Sequence, residues 1–181
     1  MTTYVALLRG INVGGNNKVE MARLKTEVEA LGYTQVATYI NSGNVVFATK
    51  ETDIAKIAKK IERVIEKTFH LSISVVVRSH AQIKKVCTAI PDEWQNNAEQ
   101  KTDVMFLWEA YDSKKSLSLV TINPDVDTVK YVAGAIVWHL KKSDYNKSGM
   151  HDIIGTELYK HVTVRNVNTV RKLKGMMEQS E

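Results

Sequence analysis

The chain holds a single cysteine, Cys87, which excludes any disulfide within it. No apolar run approaches the roughly 20 residues that a membrane-spanning helix needs, so no membrane partner is expected. The first residues lack the basic stretch and long apolar segment of a secretion signal, and the expectation is a cytoplasmic protein. The five histidines make neither an H-E-x-x-H pattern nor a Cys/His cluster, so no metal site is expected. No Ser-His-Asp or Cys-His arrangement can be assembled from neighbouring positions. His151 and Asp152, as adjacent residues on an expected helix, should point apart. Low-complexity sequence is also missing. Hydrophobic residues make up 44% of the 181 positions and charged residues 25%, the balance of an ordinary globular chain with room for one large or two small domains. The charge leans only mildly to one side, at +5 with a pI of about 9.2. That is compatible with a polyanionic partner without requiring one.

What is present begins with Tyr4-Val5-Ala6-Leu7-Leu8, a run with no polar alternation that reads as a central strand. Residues 18–31 carry Met21, Leu24, Val28 and Leu31 at helical spacing, with Gly32 as the stop. Residues 35–40 and 45–47 read as a hairpin around Asn41-Ser42-Gly43-Asn44. Asp53 can cap a helix to Phe69 with Ile54, Ile57, Ile61 and Ile65 inward, and residues 73–77 form the next strand. The first 78 residues thus read βαββαβ, the ferredoxin-like order. Ser79 caps a helix through Ile83, Val86, Cys87 and Ile90, with Cys87 on its apolar stripe. Residues 91–102 are polar and irregular. The order then returns: a strand at 104–108, a short helix capped by Asp112 through Leu117 and Val120, and strands at 129–132 and 136–140 around Ala133-Gly134. A helical stripe of Met150, Ile153, Ile154 and Leu158 follows, then a strand at 161–164 and a last helix that Asn166 can cap. The expected fold class is α+β: two ferredoxin-like subdomains with antiparallel sheets, 1–78 and 103–181, joined by a helix and linker at 79–102, with a terminal helix. Apolar residues at the outer positions suggest that the halves cover one another or share one continuous sheet.

The stretch Arg9-Gly10-Ile11-Asn12-Val13-Gly14-Gly15-Asn16-Asn17 leaves the first strand and enters a helix. Gly10 and Gly15 have the spacing of a Walker loop, but Asn16 and Asn17 stand where Lys and Ser/Thr must reach phosphate and Mg²⁺. The three glycines do not make G-x-G-x-x-G either. Two readings stay open. In one, backbone N–H groups and Arg9 form a loose anion site ahead of the helix dipole. In the other, the glycines serve a tight strand-to-helix connection, and Asn17 is the helix cap. In a ferredoxin-like half the first and third strands are neighbours, so Arg9, Asn12, Gly14, Gly15, Asn16, Asn41, Ser42 and Asn44 could converge at one sheet edge. The competing account is that the asparagines bond turn backbone. Two nucleic-acid features are weaker. Lys56, Lys59, Lys60, Arg63 and Lys67 share a helix with Glu62 and Glu66, as on any solvated face. Tyr4 and Phe47 lack the spacing of a base-stacking platform.

The motifs at residues 9–17 and 38–45, Thr-Tyr-Ile-Asn-Ser-Gly-Asn-Val in the second, resemble the bacterial family of unknown function DUF1697. Residues 163–170 resemble its closing motif, which more often has tryptophan at the position of Val167. The resemblance implies two ferredoxin-like halves and supplies no reaction, cofactor or catalytic residue. The sequence therefore points to a protein that binds a small anionic or nucleotide-like ligand at its N-terminal loops. The alternatives are an enzyme acting there on a phosphate-bearing or nucleic-acid substrate, and an interaction module that pairs through an edge strand. Cofactor and oligomeric state are not legible.

Overall fold

Val5, Ala6, Leu7 and Leu8 are all fully withdrawn from water, as expected of a strand without polar alternation. In the computed structural model, which describes residues 1–180, this strand is β1 (Thr2–Leu8). It is followed by α1 (Met21–Ala30), β2 (Thr34–Tyr39), β3 (Asn44–Thr49), α2 (Ile54–Phe69), β4 (Val75–Ser79) and α3 (His80–Thr88). The second run is β5 (Gln100–Leu107), β6 (Thr128–Val132), β7 (Ala135–Lys141), β8 (Val162–Asn166) and α4 (Val167–Glu178). The strands form two separate four-stranded sheets, ordered β2-β3-β1-β4 and β6-β7-β5-β8. All the pairings are antiparallel. Each sheet has the ferredoxin-like order, so the continuous sheet does not occur. By backbone contacts the chain divides into one unit of Met1–Ile83 plus the chain from Leu173 onward, and a second of Lys84–Lys172.

In the first unit Tyr4, Ala6 and Leu8 alternate toward a core shared with Val45, Phe47, Val75 and Val77 and with Leu24, Val28, Ile57, Ile61 and Ile65 from the helices. Tyr33 stacks on Phe47 with ring centroids 4.8 Å apart, and both rings are buried. Phe47 is therefore core, not a stacking platform. Asp53 caps α2 by accepting from the Lys56 N–H at 3.0 Å. Asp53→Ala is expected to lower unfolding stability by about 1 kcal/mol, measured by urea denaturation at neutral pH. β2, an edge strand, carries a bulge: the register skips between Thr34 and Ala37, and Gln35 is left-handed at φ 53°. Ser79 and Gln82 close a capping box on α3, Ser79 N–H donating to Gln82 Oε1 at 2.9 Å. Cys87 is half-buried on α3.

The second unit keeps the strands but replaces the expected crossing helices by 3₁₀ turns at Lys114–Leu119, Gly149–Gly155 and Leu158–His161. Ser113, not Asp112, caps the first of these by accepting from Lys115 N–H. The Asp112 carboxylate instead accepts from Tyr131 OH at 2.8 Å and Gly134 N–H at 2.7 Å. Ile154, expected inward, is 71% exposed. In a 3₁₀ turn residues three apart eclipse, so the four-residue step from Met150 to Ile154 leaves the buried line. His151 and Asp152, expected to point apart, are in contact at 2.8 Å for the same reason: no continuous helix separates them. Asn166 does cap α4, accepting from Thr169 N–H at 2.9 Å.

The second core gathers Met105, Leu107, Ile136, Trp138, Leu140, Met150, Ile153, Leu158 and Val162. Beneath the turns lies a carboxylate that the sequence gives no reason to notice. Asp127 is buried and accepts from Trp138 Nε1 at 3.0 Å, Asn123 N–H at 2.9 Å, Gly149 N–H at 3.0 Å and the Ser148 hydroxyl. Gly149 is required there, because a Cβ would lie 1.7 Å from the Thr121 carbonyl oxygen.

The two sheets share one hydrogen-bond frame. Leu8 N–H donates to Gly43 O at 2.8 Å and Leu107 N–H to Gly134 O at 3.0 Å. Arg9 N–H donates to Ser74 O and Trp108 N–H to His161 O. Arg78 lies opposite Val5, and Arg165 opposite Val104. Burial of Arg165 pushes its guanidinium down to about 10. The repeat is one of backbone register, which explains why no matching sequence accompanies it.

Candidate functional site

At the end of the first sheet where β1 leaves and β3 enters, Leu7 lies opposite Asn44. The connection from β1 to α1 and the hairpin between β2 and β3 therefore emerge side by side. Left-handed backbone is concentrated here: Gly10, Asn12, Gly14, Gly15 and Asn17 in the first loop, Ile40 and Gly43 in the second. Ile40, at φ 48° and 51% exposed, is a β-branched residue in a region that such residues avoid.

The asparagines are engaged by backbone. Asn12 Nδ2 donates to Val19 O at 3.0 Å and, across the loops, to Asn41 O at 2.8 Å. Its Oδ1 accepts from Val19 N–H at 2.9 Å. Asn17 Nδ2 donates to Gly10 O at 2.9 Å. Asn17 is thus not the cap of α1; the capping position is Glu20, whose side chain makes no capping bond. Asn44 is buried and donates to Tyr39 O at 3.0 Å and Ser42 Oγ at 3.1 Å. Ile11 is buried and packs over Gly43, where an added Cβ would stand 2.7 Å from Leu8 Cβ and 2.9 Å from Ile11 Cδ1.

Between these anchors the tip is open. Val13 to Asn16 form a tight turn closed by Asn16 N–H donating to Val13 O at 3.0 Å, with Gly14 and Gly15 left-handed at its centre. Residues 13–18 are exposed. The N–H groups of Gly10, Gly14 and Gly15 meet no acceptor among the described residues. Arg9 is half-buried at the loop's start. So Asn12 and Asn41 are joined directly, Ser42 and Asn44 directly, and Gly14, Gly15 and Asn16 form the projecting turn. The side-chain bonds of Asn12, Asn17 and Asn44 hold the loops; they do not point into a pocket. Asn12 as the link between loops was not legible, because its left-handed backbone is visible only in the fold.

The basic face of α2 is divided. Lys60 and Lys56 pair with Glu51 at 2.8 and 3.4 Å, and Lys60 and Lys56 together hold the Glu51 carboxyl below the usual range. Tyr33 donates to the same carboxylate, and its burial, with Glu51 beside it, pushes the phenol up to about 12. In the second unit His139 stacks on Trp94 at 4.5 Å, and Lys130 lies over that ring at 4.7 Å. Thr102 Oγ1 donates its one proton to Gln95 O, so the 2.8 Å contact with His139 Nδ1 makes the histidine the donor. Burial lowers the His139 pKa. No group of three or more His, Cys, Asp or Glu suited to a metal ion occurs among the described residues. No helix there is long and apolar enough to cross a membrane.

No curated protein matches the chain at a significant level. Among solved structures it is similar to the conserved bacterial protein SP0830 from Streptococcus pneumoniae, at 27% identity and a TM-score of 0.83, over 97% of this chain and 98% of that one. The model of a family described as a protein of unknown function, DUF1697, matches residues 1–138. That span takes in the whole first sheet, both loops and the second sheet as far as β7, and the chain belongs to the DUF1697 family.

Proposed function

We propose that the first unit binds a small anionic or nucleotide-like ligand at the sheet end formed by Arg9–Asn17 and Asn41–Asn44. The observation that carries this reading is the exposed Val13–Asn16 turn. It offers the N–H groups of Gly14 and Gly15, with Gly10 behind them, without an acceptor of their own. Successive N–H groups on left-handed backbone form a concavity suited to an anion. The asparagine bonds fix that concavity before the ligand arrives, which lowers the ordering cost of binding. Arg9 adds a planar fork for phosphate or carboxylate. Residues 9–19 and 40–44 contain no carboxylate, imidazole or thiol, and Ser42 supplies their one hydroxyl. The loops are therefore better equipped to hold a ligand than to move its protons.

The test is a paired measurement on Arg9→Lys. Inorganic phosphate, pyrophosphate and adenosine monophosphate are added to the full chain, and thermal unfolding is compared with chloride at equal ionic strength. The expected result is stabilisation of the wild type by at least one of these anions beyond the general salt effect. Arg9→Lys, which keeps the charge but not the fork, should abolish it and leave the ligand-free Tm nearly unchanged. The opposite pattern is no specific stabilisation of the wild type, with Arg9→Lys lowering stability by about 1–3 kcal/mol through unpaired acceptors. That result makes the arginine a structural clasp and ends the case for a site.

A further inference from the structure

The outer side of α2 and the connection into β4 enclose a cleft of about 180 Å³, lined chiefly by Lys59, Glu62, Arg63, Glu66, Ser72 and Ser74. The four charged residues stand on one helix at spacings of three and four, where opposite charges ordinarily close on each other. Here they do not: among the described residues no ion pair involves Lys59, Arg63 or Glu66. Glu62 is engaged on one side, accepting from Val75 N–H at 2.9 Å. The neighbouring Lys56 and Lys60 are held by Glu51, whereas Lys59 and Arg63 of the cleft are exposed.

The charges are also sorted. Lys59 and Arg63, four apart, share one row of the helix surface and Glu62 and Glu66 the next, with Glu66 in the last turn before Phe69, where the carbonyl ends of the helix add negative potential. Two cations and two carboxylates balance, so a bare anion gains little from the cleft as a whole. A molecule carrying both signs, laid across the two rows, meets a partner at each end. At about 180 Å³ and open to solvent on one side, the cleft has the room of a small amino acid. We infer that it binds a small zwitterion, an α-amino acid with a compact side chain. Its carboxylate lies on Arg63 and Lys59, its ammonium on Glu66, and the Ser72 and Ser74 hydroxyls complete the shell. The inference stands apart from the glycine loops and does not rest on them.

The experiment titrates the full chain with L-alanine and L-serine while backbone amide signals of residues 71–75 are followed by NMR. N-acetyl-L-alanine, L-alaninamide and inorganic phosphate serve as the probes that lack one charge. Saturable shifts are expected with the free amino acids below about 10 mM, and about tenfold weaker binding for each blocked derivative. Arg63→Gln and Glu66→Gln, both exposed and tolerant of change, should each weaken binding by about tenfold. Lys56→Gln should leave it unchanged. The absence of a saturable shift with either amino acid overturns the proposal. So does equal binding of phosphate or the acetylated derivative that survives Glu66→Gln, which would make the cleft a plain anion patch.

Discussion

Replacing Asp127 by alanine is expected to lower the free energy of unfolding by about 3–5 kcal/mol. Four donors converge on its carboxylate: the Trp138 indole, the Ser148 hydroxyl and the N–H groups of Asn123 and Gly149. They tie β7 to the two irregular segments that stand where crossing helices were expected. Removing the acceptor leaves those donors buried without a partner. Asp127→Asn is the more discriminating variant, because whichever way the amide turns, its NH₂ faces two donors. We expect it to cost about 2–4 kcal/mol. Burial alone would push the Asp127 carboxyl up. The bonds from Ser148 and Trp138, with those from Asn123 and Gly149, outweigh burial and hold it below the usual carboxylate range. A folded pKa below the unfolded one gives stability that is fully present above the unfolded value, about 3.9, and is lost as pH falls through the folded value. The gap between wild type and Asp127→Asn in urea unfolding should therefore be constant near neutrality and shrink below about pH 4. A gap that persists unchanged in acid would show that the negative charge is not its source.

Gly43→Ala is the second large effect. Gly43 sits at φ 79°, and its carbonyl accepts from Leu8 N–H at the end of β1. A methyl there collides with Leu8 Cβ, an atom fixed by the strand, and with Ile11, which covers the hairpin. Left-handed strain of about 1–2 kcal/mol and overpacking of about 1–3 kcal/mol together predict a loss of about 2–5 kcal/mol. Because the hairpin also holds Asn41, the damage should spread: hydrogen exchange at Leu8 and Val19 should quicken in the variant. A mutant with wild-type stability and exchange would mean that the two loops are not one mechanical unit.

The first unit was readable because its central strands are apolar throughout, its helices run at full length and two of its caps are local. Asp53 and Ser79 each bond an N–H within three residues, as Asn166 does in the second unit, so spacing alone identifies them. The second unit misled for a physical reason. Met150, Ile153 and Leu158 fall close to helical spacing, but Gly149 and Gly155 bound a segment too short to repay helix nucleation. The chain settles into 3₁₀ turns stitched to Asp127. That carboxylate has its side-chain partners eleven and more residues away, and an acidic residue three positions after Pro124 reads as an ordinary turn. At the loops, the glycines and asparagines drew notice by composition. Their division of labour, asparagine side chains bonding the backbone while glycine N–H groups face outward, is set by φ angles that spacing does not reveal.

The bulge at Gln35 bears on how this protein behaves at high concentration. A flush edge strand is a template on which another chain can add its own hydrogen bonds, and such additions grow into fibrils. In β2 two residues, Gln35 and Val36, stand where the partner strand has one, so the edge is interrupted near the start of its six residues. A straight incoming strand can match the donors on one side of the bulge or on the other, but not both. Lateral growth from this edge is thereby confined to two or three bonds, too few to hold a second chain in register.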